Sequence, residues 1–71
     1  MPRWLLCPQC GAPLFFVEGE GGFLLYIHVG PSREVLPTKP EYEPARELAA
    51  AGIRCTGCSW RGSTARLLAR P

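Results

Sequence analysis

The chain carries four cysteines in two pairs, Cys7-Pro8-Gln9-Cys10 and Cys55-Thr56-Gly57-Cys58, with none left over. Two Cys-x-x-Cys pairs in one short chain supply the full ligand set of a tetrahedral metal site, with zinc the first candidate and iron the second. At 71 residues the chain reads as a single domain. At that size apolar burial barely offsets an ordering cost of about 1.5 kcal/mol per residue, so a staple is needed. One structural Zn2+ held by Cys7, Cys10, Cys55 and Cys58 would provide it, because metal affinity becomes folding free energy when the unfolded chain has no site.

Each pair has the local chemistry of a metal knuckle. Pro8 fixes one backbone angle, and Gly11 permits the sharp return that turns backbone N–H groups toward thiolates. The start of the chain, Met1-Pro2-Arg3-Trp4, has neither the apolar core nor the cleavage site of a secretory signal, so a cytoplasmic location is expected. Thiols stay reduced there, which favours metal over disulfides. The apolar runs Leu14 to Val17 and Phe23 to Val29 are too short to cross a bilayer, and no membrane contact is expected.

Between and around the knuckles the chain divides into six parts. The first knuckle occupies 4–13, entered by a short strand-like run from Arg3 to Leu6. Residues 14–29 read as a hairpin, two apolar runs separated by Gly19-Glu20-Gly21-Gly22. Phe23, Leu25, Ile27 and Val29 alternate onto its core face and Leu24, Tyr26 and His28 onto the other. The proline- and charge-rich stretch 30–43 reads as an extended loop and the least ordered part. A helix follows over 44–51, with Pro44 in its first turn, Ala45, Leu48 and Ala49 facing inward, and Gly52 as its C-cap. The second knuckle spans 53–61, and a C-terminal helix over 63–70 starts from an N-cap at Ser63 and sets Arg66 and Arg70 on one face.

Charge is unevenly placed. All six glutamates fall between Glu18 and Glu47, whereas Gly52 to Pro71 holds Arg54, Arg61, Arg66 and Arg70 and no acid. These arginines, with Trp60 among them, form a candidate contact for RNA, DNA or an acidic partner. The competing reading of Trp60 is an indole packed beside the metal. No triad can be built without aspartate, the glycine run lacks the lysine of a phosphate loop, and His28 stands far in sequence from both knuckles. The chain is therefore expected to be no enzyme and to have no small-molecule substrate. The hairpin is apolar on more than one face, which favours a protein partner or a homodimer through it.

The cysteine pairs, Gly11 and the Cys-x-x-Cys-x-Trp run from Cys55 to Trp60 make the chain resemble a zinc ribbon, in which two knuckles clamp one zinc. The forty-four residues between the pairs exceed what a compact ribbon uses. The resemblance implies a small metal-bound α+β fold, with rubredoxin-like knuckles, an antiparallel hairpin and two short helices, and a binding or adaptor role. Cys7 to Gly11 is similar to a rubredoxin knuckle as well, which keeps an iron electron carrier open, and a purely structural subunit is the other alternative. Thr56 and Ser59 depart from that family's second knuckle, where Pro and Gly are usual, and rubredoxins tend to be acidic.

Overall fold

The computed structural model describes residues 4–69. Its centre is a five-stranded antiparallel sheet in the order β3-β2-β1-β4-β5. The strands are β1 (Phe15–Glu18), β2 (Leu24–Val29), β3 (Val35–Pro37), β4 (Ile53–Cys55) and β5 (Arg61–Gly62). Among the described residues the one α-helix, α1 (Ala45–Leu48), continues as a 3-10 turn over Ala49–Ala51. The fold is a small α+β unit, and among the described residues no helix is long and apolar enough to cross a membrane.

Period-two alternation sorts the sheet into two faces. Phe15, Val17, Ile27, Val29, Ile53 and Cys55 are buried on one face, where Leu5, Leu67, Ala45 and Ala49 join them in a single cluster. Phe15 stands opposite both Ile27 and Cys55, so the core runs without a break from the hairpin into the second knuckle. On the other face Tyr26, Phe16 and Arg54 follow one another across β2, β1 and β4, and Arg61 continues the row on β5.

Several expectations require correction. The stretch 30–43 is not one extended loop: it contains β3, paired with the outer side of β2, and a 3-10 turn at Pro40–Tyr42. Val35 and Leu36 suit a strand, and Pro37 is tolerated because β3 lies at the sheet edge, where its missing N–H breaks no ladder. The helix expected over 63–70 is a single 3-10 turn, Thr64–Arg66, and the Ser63 side chain makes no capping bond. Leu67 then turns extended, which buries its own side chain and lets Leu68 form an isolated bridge to Leu6 through bonds of 2.7 and 2.9 Å. A helix of eight residues has too little internal bonding to compete with that packing.

The entry to the first knuckle is that bridge at Leu6 rather than a strand, and Arg3 lies outside the described residues. Phe23 is 73% exposed instead of core-facing. The turn closes through Gly19 N–H to the Phe23 carbonyl, and β1 ends opposite Leu24, so no strand remains for Phe23 to pack on. Ala45 and Ala49 do face inward, but Leu48 is exposed, because a one-turn helix buries only its i, i+4 pair. Gly52 ends the helix at φ 126, a conformation that favours glycine.

Candidate metal centre

The fold carries the two cysteine pairs to one place from opposite ends of the chain. Cys7 follows the Leu6–Leu68 bridge, and its knuckle closes through Cys7 N–H to the Ala12 carbonyl (3.0 Å) and Gly11 N–H to the Cys7 carbonyl (2.9 Å). Gly11 makes that return at φ 81. Cys55 ends β4, and its N–H bonds the Trp60 carbonyl at 2.9 Å, closing the second knuckle. Thr56 ties the second knuckle to the residue preceding β1: its N–H and its hydroxyl both donate to the Leu14 carbonyl, at 3.3 and 2.9 Å.

All four sulfurs lie within 4.8 Å of one another. Cys7 Sγ is 3.7 Å from Cys58 Sγ, and Cys10 Sγ is 3.4 Å from Cys55 Sγ. A disulfide requires about 2.05 Å. Four sulfurs about 2.3 Å from a tetrahedral ion lie about 3.8 Å apart, so the donors and their spacing fit one metal ion. Zinc and iron both accept such a set. Gln9 N–H points at Cys7 Sγ (3.4 Å) and Gly57 N–H at Cys55 Sγ (3.2 Å), the bonds that stabilise thiolate charge.

The thiols differ in acidity. Burial raises Cys7, but the N–H groups of Cys10 and Gln9 and the sulfurs of Cys55 and Cys58 outweigh it and bring it down to about 7. Burial pushes Cys55 up to about 12 against the Gly57 N–H, and the neighbouring thiols add to the rise. The Trp60 N–H favours the Cys58 thiolate, yet partial burial and the sulfurs of Cys10 and Cys7 leave it raised. A metal binds the thiolates, so protons must leave, and uptake strengthens as pH rises. The raised thiols of Cys55 and Cys58 should still carry their protons at pH 7, so metal uptake should release more than one proton. Calorimetry in buffers of different protonation enthalpy measures this, and release of less than one proton would contradict the site.

The structure separates the basic candidates. Arg54 and Arg61 stand directly opposite each other on β4 and β5, both exposed. Arg66 is exposed on the 3-10 turn after Ser63, and Arg70 lies outside the described residues. The helix expected to set Arg66 and Arg70 on one face does not continue past Arg66, because the backbone turns extended at Leu67. Trp60 packs against the core and meets Phe15 edge-on at 6.2 Å. A Cβ at Gly62 would come within 2.8 Å of its ring. The indole thus packs beside the second knuckle while staying half-exposed, in a cleft it shares with Arg54 and Arg61.

His28 is held away from the sulfurs, with Nδ1 2.9 Å from the Pro13 carbonyl and its ring stacked on Trp4 at 4.5 Å. Sequence reasoning missed Arg33, whose Nη1 donates to the carbonyls of Thr64 (2.6 Å) and Leu67 (3.2 Å) and ties the loop to the C-terminal segment. Its positive φ of 65 has no signal in an arginine codeword. No protein-family model, curated protein or solved structure matches the chain. Fold and site define a small α+β unit with a four-cysteine cluster suited to metal.

Proposed function

We propose that the chain is a zinc-stabilised binding or adaptor module of the zinc-ribbon kind, with no catalytic activity. The observation that carries this reading is the cluster of four sulfurs within 4.8 Å. Four protein ligands close a tetrahedral site and leave no position for a substrate or an activated water, which is the pattern of structural rather than catalytic zinc. Contact with a protein, or with a second copy of the chain, falls to the hairpin turn, where Phe23 and Leu24 are exposed. Nucleic acid is the partner of the basic residues around the second knuckle. The cytoplasm is the compartment consistent with reduced thiols.

Zinc is preferred over iron because a site of given donors binds Zn2+ more tightly than Fe2+, and because Thr56 and Ser59 depart from a rubredoxin-like second knuckle. The test is reconstitution of metal-free protein with equal zinc and ferrous iron under anaerobic conditions, followed by metal analysis and voltammetry. Zinc uptake without a reversible couple is the expected result. Retention of iron with a reversible one-electron couple would replace the adaptor with an electron carrier.

A further inference from the structure

We propose that the uncovered face of the sheet binds single-stranded nucleic acid, with bases stacked on Tyr26 and Phe16 and phosphates held by Arg54 and Arg61. This deepens the binding-module reading and rests on it. The four residues form one row by strand register, Tyr26 to Phe16, Phe16 to Arg54 and Arg54 to Arg61. Three steps of about 4.8 Å make the row about 14 Å long.

Arg54 and Arg61 are exposed and Phe16 and Tyr26 are half-exposed, so the row keeps surface open to a partner. Phe16 is not part of the core cluster, although its neighbours Phe15 and Val17 are buried in it. Tyr26 and Phe16 lie 6.2 Å apart at 55°, and Tyr42 extends the aromatic strip 6.5 Å beyond Tyr26, with the Lys39 ammonium 5.6 Å from the Tyr42 ring. Like charges directly opposite on adjacent strands repel, so Arg54 against Arg61 costs stability unless an anion lies across them. Among the described residues the ion pair formed is Arg46 with Glu43, and neither Arg54 nor Arg61 has an acidic partner within 4 Å. Glu18, two residues along β1 from Phe16, lines the same cleft as Arg54 and Arg61 and bounds the row on that side.

Aromatic rings beside guanidinium groups on an open sheet suit unpaired bases, because every base offers a π-face while a duplex hides it. An acidic protein surface would use the arginines and leave the rings idle. The arrangement therefore favours a single strand over an acidic peptide.

The test uses the full chain loaded with metal and verified as folded by circular dichroism and metal content. Fluorescence anisotropy follows a labelled mixed-sequence single-stranded RNA 12-mer, the same strand annealed to its complement, and a poly-glutamate competitor. Two phosphates neutralised on a single strand give a slope of about −1.4 in log affinity against log salt, about sevenfold weaker binding from 50 to 200 mM. R54A/R61A should remove that slope. Phe16→Leu and, on the neighbouring strand, Tyr26→Leu should each weaken binding about fivefold or more at constant salt, as loss of a stacked base requires.

Three results would overturn the proposal: no binding by the folded, metal-loaded chain, equal affinity for the duplex, or displacement by poly-glutamate with the leucine variants unchanged. The last would assign the face to an acidic protein. Failure of the chain to hold metal would instead remove the module reading beneath it.

Discussion

Cys10→Ser should be as damaging as Cys55→Ser, and both should leave a chain without a cooperative unfolding transition at 25 °C. The two positions have opposite environments: Cys55 is buried in β4, and Cys10 is exposed on the first knuckle. If the sulfurs only packed, replacing the exposed Cys10 would cost within about 0.5 kcal/mol, as surface changes do. If they hold a metal, each variant removes one of four ligands. Structural zinc contributes about 10–16 kcal/mol of apparent binding free energy in zinc-finger peptides, and small domains have a net stability of about 5–15 kcal/mol. Losing even half of the metal contribution therefore approaches the entire margin. Thermal unfolding by circular dichroism, with and without chelator, distinguishes the cases. A Cys10→Ser protein with wild-type melting would show that the cluster holds no metal.

The second large effect concerns adjacent residues on one strand. Phe15→Ala should cost about 3–5 kcal/mol, the range for removing a fully buried phenylalanine. Phe15 has no exposed surface, stands opposite Ile27 and Cys55, and meets the Trp60 ring at 6.2 Å, so the cavity would open between the hairpin and the second knuckle. Weaker metal retention should accompany the loss. Phe16→Ala, one position along and on the opposite face, should cost about 1 kcal/mol or less. Urea unfolding of both variants measures the difference. Similar costs would mean that the uncovered face is covered and that the division of the sheet into two faces is wrong.

That division was legible in the chain because it depends on alternation. The glycine-rich turn and the runs on either side of it place β1 and β2, and Ile27 and Val29 fall on the buried face by period alone. The cysteine spacing likewise marks the metal cluster, since few other arrangements use four paired thiols. The errors lie where a segment's shape is set by residues distant in sequence. Val35–Pro37 becomes a strand only because β2 offers it an edge, and its own Pro37 with three prolines nearby masks so short a run. The segment 63–70 reads as a helix, but the bridge between Leu68 and Leu6 and the burial of Leu67 pull its middle straight. Phe23 follows its strand's alternation and is exposed because its partner strand stops short. The row from Tyr26 to Arg61 was invisible for the same reason. Its members come from four strands, and register alone lines them up.

The most direct test of the central claim is X-ray absorption at the metal edge, with elemental analysis, on protein purified without added metal. One zinc per chain surrounded by four sulfurs at about 2.3 Å is the result this account predicts. Four free thiols with no bound metal, or a zinc shell containing nitrogen or oxygen donors, would contradict it.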